Sequence, residues 1–278
     1  MTRKKLTEQP GLTDKNFKKL SIQVSLDGLS FCVADRVDHT LLLADSTTFG
    51  QEHNPVTLLR ETKKLFEAHG LAHQDFEEVV LVHQNTLFGL VPKALFDPDH
   101  LTGYLALNTK VLSNDVLAFD EIKNQEMINV YVPYMNINNY LYEQFGTFTY
   151  MHCGTVLVQA ILQNHGAHQQ PACYVHVGKR QMDVLVVKQK RLLLYNSFKW
   201  NTPEEFTYYL LFVLEQLELD TETTATHLFG AVSKDNDAFL MCHTYIRDVQ
   251  VFEPKVPDHI VLGSTPAKSL DFAVLNTL

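Results

Sequence analysis

Thirteen histidines and four cysteines raise metal binding first. His152-Cys153 and Cys242-His243 are adjacent pairs, and His165 and His168 lie three apart. Structural zinc sites need four ligands at short, fixed spacings. None of these pairs completes such a set, so the spacing points to core and boundary residues rather than a metal centre. Asp35, Asp45 and Asp183 are the carboxylates that two-metal nuclease chemistry would need, by position only. Cys32, Cys153, Cys173 and Cys242 show no CxxC spacing and read as reduced thiols of a cytoplasmic protein. A buried thiol is inert, so a Cys/His nucleophile pair is the weaker account of them. No Walker A, GxSxG or HExxH pattern occurs. Lys179 and Arg180 could hold a phosphate as cations. A charged hairpin tip in water is the simpler account of the same two residues.

The elements that must carry these residues follow from periodicity. Ile22, Val24 and Leu26 alternate with Gln23 and Ser25, the period-two signature of a strand. Asp27-Gly28 reads as its hairpin turn, with glycine at positive φ. LSFCVAD and TLLLADSTTF follow as strands. NPVTLLRETKKLFEAHG then reads as a helix capped by Asn54, with Pro55 in the first position and Gly70 at the end. EEVVLVH is a short buried strand. The second half repeats the order. ACYVHVGKRQMDVLVVKQKRLLLYNSFKW gives three strands with a turn at Gly178. NTPEEFTYYLLFVLEQLEL gives a helix with Asn201 as its expected cap, and THLFGAV a strand. LLLADSTTF and LLLYNSFKW even correspond in letters. Between the copies, VLAFDEI and MINVYVPY read as strands. NINNYLYEQFG and GTVLVQAILQNHG read as helices ended by Gly146 and Gly166. Residues 165–171, HGAHQQP, are the expected linker.

Charge and composition narrow the function classes. Across 278 residues the net charge is −9, which repels phosphate backbones and argues against a nucleic-acid platform. The first 20 residues run the other way, with six basic residues against Glu8 and Asp14. They read as a solvated arm, or as a docking arm for an acidic partner. No apolar run approaches a membrane span, and the N-terminus lacks the apolar core of a secretory signal. Hydrophobic residues are 45%, enough for a sizeable core in two domains. The helix carrying Phe206, Tyr208, Tyr209, Leu210, Leu211 and Phe212 is apolar nearly all round. It is either buried or faces a partner.

A duplicated strand-strand-strand-helix-strand unit resembles the actin-like ATPase superfamily. From about Leu20 the chain also resembles an uncharacterised bacterial family, a domain of unknown function placed in that superfamily. FGLVPKALF and NVYVPYMNINNYLYEQF carry this closer likeness. In active members nucleotide sits between two subdomains, and the first hairpin presents an Asp followed two residues on by a Gly. Here Gln23 stands at the Asp position and Ser25 at the Gly position. Asp27-Gly28 restores the pair only if the alignment slips by four residues, which puts the carboxylate at the hairpin tip. The second hairpin of active members reads Asp-x-Gly-x-Gly-Thr. Here His176 replaces the Asp, Gly178 matches, and Lys179 and Arg180 replace the glycine-rich turn. Neutral imidazole is a poor Mg²⁺ ligand. The adenosine-site Gly-Gly is reduced to Gly230-Ala231.

The expectation is therefore an α/β protein of duplicated actin-like (ribonuclease H-like) subdomains. Each would be a mixed sheet with an antiparallel three-strand meander and packed helices. Residues 1–19 form a basic arm, 20–165 the first subdomain and 166–278 the second. The resemblance also places the last segment, DFAVLNTL, against the first lobe. The function expected is a non-catalytic, cytoplasmic pseudo-ATPase serving as a protein-interaction or scaffold module, with no cofactor, metal ligand or catalytic residue. The alternative is a divergent Mg-ATP-binding protein or kinase built on Gln23, Ser25, Asp27, Gly28, His176, Gly178, Lys179 and Gly230. The expected partner is a protein, with no nucleic acid and no membrane insertion. A homodimer through helix 203–218 is a third possibility.

Overall fold

Alternation in the first strand sends Leu20, Ile22 and Val24 to one face and Ser21 and Gln23 to the other. In the computed structural model of the chain, this strand is the centre of a five-stranded sheet. The structure describes residues 17–106, 109–165, 167, 169–262 and 270–278. The expected basic arm up to position 16, and Gly166 and His168 of the expected linker, lie outside the described residues.

In chain order the elements begin with β1 (Lys18–Val24), β2 (Gly28–Asp35), β3 (Leu41–Thr48), α1 (Pro55–Ala68) and β4 (Glu78–His83). Next come β5 (Phe88–Pro92), α2 (Leu101–Leu105), β6 (Ala118–Ile122), β7 (Met127–Tyr131), α3 (Met135–Phe145), β8 (Thr149–His152) and α4 (Cys153–Asn164). The last group is β9 (Ala172–Val177), β10 (Gln181–Lys188), β11 (Arg191–Lys199), α5 (Pro203–Gln216), β12 (Ala225–Gly230), α6 (Asp237–Tyr245), β13 (Val249–Val251) and α7 (Phe272–Leu275).

The chain forms two compact units. The first holds the described residues up to Gln84, Pro133–Met151, and the described residues from Val256 onward. The second holds Asn85–Val132 and His152–Lys255. Each unit is thus assembled from separate segments, whereas the division expected at 165/166 follows the chain.

In the first unit the sheet order is β3-β2-β1-β4-β8. β1, β2 and β3 are antiparallel, and β4 runs parallel to β1. Leu58 and Phe66 of α1 join Ile137, Tyr140 and Leu141 of α3 against one face. α7 packs on the other face, against β1 and β2, where Val274 meets Cys32 and Leu41. The last segment therefore returns to the first sheet.

In the second unit the order is β11-β10-β9-β12-β13, the same topology. Again three strands are antiparallel and the fourth, β12, is parallel to β9. α5 and α6 bury Phe206, Leu210, Leu214, Phe239 and Cys242 against one face, and α4 packs on β10 and β11. A three-stranded antiparallel sheet, β5-β7-β6, has its own small core with Leu105 of α2. The architecture is duplicated mixed α/β, as the strand and helix order implied.

Local signals set most boundaries. Asn54 accepts the Thr57 N–H at 2.8 Å and Pro55 opens α1. Gly146, at φ 73°, ends α3. Two expectations are corrected. Thr202, not Asn201, caps α5 by accepting from the Glu205 N–H, while Asn201 donates its own N–H to the Glu205 carboxylate at 2.8 Å. Gly28 is not at positive φ. It opens β2, and a Cβ there would lie 2.9 Å from the Thr47 carbonyl, so close approach to β3 is what requires glycine.

Candidate functional site

The duplication holds residue by residue. Gln23 on β1 pairs with Ser30 on β2, and His176 on β9 pairs with Asp183 on β10. Four residues close each hairpin. The Ser25 N–H donates to the Gly28 carbonyl at 2.9 Å, and the Gly178 N–H to the Gln181 carbonyl at 2.8 Å. Both meanders even shift register at the same place, between Val33 and Ala34 and between Val186 and Val187. Gln23 and His176 are therefore true counterparts.

In the first unit, Gln23 is 6% exposed. Its Nε2 donates to Gln84 Oε1 at 3.0 Å and to Asp271 Oδ2 at 2.8 Å. The other oxygen of Asp271 caps α7, accepting from Ala273 and Val274 N–H groups. Ser25 Oγ donates to Asp27 Oδ1 at 2.6 Å, which turns that carboxylate back onto its own hairpin. The backbone at Leu26 and Asp27 accepts from His53 and Phe49 N–H groups, so the tip is tied to the loop after β3.

In the second unit, His176 Nδ1 lies 3.3 Å from Asp183 Oδ2. Asp183 has no exposed surface. Gln181 Nε2 and Tyr195 Oη donate to its other oxygen at 3.1 and 3.2 Å. Burial opposes the Asp183 charge, but His176, Ser197 and Gln181 outweigh it and hold the carboxyl below its ordinary value. Burial first, and then the Asp183 charge, drive the Tyr195 phenol well above its usual range, so it stays a donor. Its ring stacks on Phe88 at 5.0 Å. It also lies over Gly154 at the start of α4, where any Cβ would collide with it. Lys179 is exposed at the hairpin tip and Arg180 is half-buried. Gly230 sits at φ 95°, and a Cβ there would come within 2.6 Å of the Val177 carbonyl and 3.1 Å of the His176 ring.

The structure thus joins His176, Gly178 and Gly230 at one end of β9 and β12. It joins Gln23, Ser25, Asp27 and Gly28 around the first hairpin. Motif patterns do not reach the partners Ser30, Gln84, Asp271, Gln181 and Tyr195, and they mark Asp183 only as an isolated carboxylate. The signal for Ser30 and Asp183 was present: each lies seven residues after its partner, across a hairpin of equal length. Gln84 and Asp271 had no such signal, because their distance from Gln23 in sequence is set by the fold alone. Among the described residues no cluster of three or more His, Cys, Asp or Glu could hold a metal ion. All four cysteines are buried, and none is in a disulfide.

These paired hairpins on duplicated sheets have counterparts. Residues 9–249 match the model of the family described as protein of unknown function (DUF3822). The chain belongs to this family. Its fold is similar to that of a Bacteroides thetaiotaomicron protein with actin-like ATPase fold and unknown function. That likeness has a TM-score of 0.74 and 21% identity, over 86% of this chain and 91% of that one. It is also similar to a chain of the PilM-PilN type IV pilus biogenesis complex, at TM-score 0.60 and 13% identity, over 93% and 97%. This DUF3822 member therefore has the actin-like ATPase fold. No curated protein matches its sequence. No helix among the described residues is long and apolar enough to cross a membrane.

Proposed function

We propose that this DUF3822 member is a non-catalytic actin-fold protein, a pseudo-ATPase acting in the cytoplasm as a protein-interaction or scaffold module. One observation carries the reading. The two counterpart positions at which the superfamily places acidic anchors hold Gln23 and His176, and both side chains are engaged inside their own units. Mg²⁺ prefers oxygen ligands, above all carboxylates, in near-octahedral geometry. Gln23 turns its amide nitrogen to Asp271 and Gln84. His176 turns Nδ1 to a carboxylate that is itself closed in by Tyr195 and Gln181. Such a donor set does not suit a magnesium–triphosphate pair.

A protein partner is the occupation that remains for this duplicated fold. The PilM-PilN structure is a complex of a protein with this fold, which supports a partner here by analogy. Within α5, Tyr208 is 62% exposed and stacks on the exposed Phe212, while Phe206, Leu210 and Leu214 are buried. That aromatic face is our choice for the contact.

Isothermal calorimetry of the full chain with Mg-ATP, Mg-ADP and Mg²⁺ alone tests the reading. No heat of binding at millimolar nucleotide is expected. Magnesium-dependent binding of ATP would overturn it and restore the divergent nucleotide-binding alternative.

A further inference from the structure

Counterpart positions in the two sheets differ at one place in a way that opens a cavity. On β3, Ala44 pairs with Cys32; on β11, Tyr195 pairs with Leu185. The register makes Ala44 and Tyr195 equivalent, as it makes Ser46 and Ser197 equivalent. In the second unit the Tyr195 ring fills the space beneath α4 and its Oη satisfies Asp183. In the first unit the equivalent of Asp183 is Ser30, and no ring is present. A cavity of about 190 Å³ lies there instead, lined by Ser30, Cys32, Ala44, Ser46, Leu270 and Asp271 among others.

Ser30 is 7% exposed, and its Oγ has no hydrogen-bond partner among the described residues. A buried hydroxyl left unpaired is unfavourable, and the donor it lacks is of the kind Tyr195 supplies to Asp183. Asp45 and Ser46 are exposed at the cavity, so solvent and ligand can enter. The size also fits. An apolar cavity of about 150 Å³ holds benzene, so about 190 Å³ holds a benzene ring with one hydroxyl. Among the described lining residues the charged groups are two carboxylates, Asp45, which His69 Nε2 meets at 2.7 Å, and Asp271, which accepts from Gln23. That lining rejects anions and favours a neutral O–H or N–H donor.

We propose that the cavity between β2, β3 and Leu270-Asp271 binds a phenol, whose ring takes the place of the absent tyrosine and whose hydroxyl hydrogen-bonds Ser30. The ring lies against Ala44, Cys32 and Leu270. Free phenols and the tyrosine side chain of a partner offer the same chemistry.

Calorimetry of the full chain with phenol, toluene and N-acetyl-tyrosinamide tests this. Phenol is expected to bind at one site, more tightly than toluene. Ala44→Tyr should fill the cavity from within and weaken phenol at least tenfold. Ser30→Ala should erase the preference for phenol over toluene, and this variant decides the matter if Ala44→Tyr does not fold. Tighter binding of N-acetyl-tyrosinamide than of phenol assigns a partner's side chain; the reverse order assigns a free small molecule. No binding of phenol to the wild-type chain, unchanged binding by folded Ala44→Tyr, or an unchanged phenol-to-toluene ratio in Ser30→Ala would each overturn the proposal.

Discussion

The backbone N–H of His152 donates to Asp120 Oδ2 at 2.8 Å, and burial moves the acidities of these two side chains in opposite directions. Burial pulls the His152 imidazole down to about 4. Burial pushes the Asp120 carboxyl up to about 6, against hydrogen bonds from the His152 N–H, Thr155 and Tyr131. Both groups stand at the entry to α4, where His152 Nδ1 also accepts from the Gly154 N–H.

Their effects on stability oppose each other between pH 6.5 and 4. His152 titrates lower when folded, so its contribution is full above 6.5 and is lost as pH falls toward 4. Asp120 titrates higher when folded, so its contribution is full below 3.8 and is lost as pH rises through 6. Urea unfolding at pH 6.5 and 4.5 should therefore separate the variants. Asp120→Asn should lose about 2 kcal/mol more than wild type on acidification, and His152→Gln should lose about 2 kcal/mol less. Two variants with the same pH response would refute the assignment.

Gly154 and Tyr195 form a pair in which one residue exists to admit the other. Gly154→Ala drives a methyl group into the Tyr195 ring, and overpacking of this kind costs about 1–3 kcal/mol. In a Tyr195→Ala background the clash is gone, so the same substitution should cost less. A double-mutant cycle by chemical denaturation should show coupling of about 1 kcal/mol or more. Simple additivity would mean that the helix is not seated on that ring.

Gly230 and Gly103 make a matched contrast. Gly230→Ala meets a left-handed backbone and the Val177 carbonyl, and should destabilise by about 2 kcal/mol or more. Gly103 lies within α2 with open space at its Cβ position, so Gly103→Ala should stabilise by about 0.5–1 kcal/mol. Thermal unfolding of the two variants should move in opposite directions.

The two faces of α5 should also separate. Leu210→Ala empties buried space and should cost about 2–5 kcal/mol. Tyr208→Ser, on the exposed face, should stay within about 0.5 kcal/mol of wild type. Light scattering on the same proteins asks whether that face holds a second copy: self-association lost in Tyr208→Ser assigns it so. A large destabilisation by Tyr208→Ser would instead return the ring to the core.

Much of this molecule can be read from residue order alone. Period-two alternation, Asn54-Pro55, Gly70 and Gly146 mark elements whose geometry is local, so strand and helix order needed no tertiary information. The parallel between LLLAD and LLLYN marks the duplication, and the register shows that the letters align residue for residue. What escaped was anything that depends on distance through space. Glycine at position 28 looked like a turn residue, yet its reason is the Thr47 carbonyl on the neighbouring strand. The Ala44–Tyr195 difference is visible as two letters, but only packing turns it into a cavity on one side and a filled network on the other. Likewise the sequence declares that Gln23 and His176 are not carboxylates. That Asp271, 248 residues away, comes to hold Gln23 is decided by the return of the last helix to the first sheet, and pairings of that range carry no local signature.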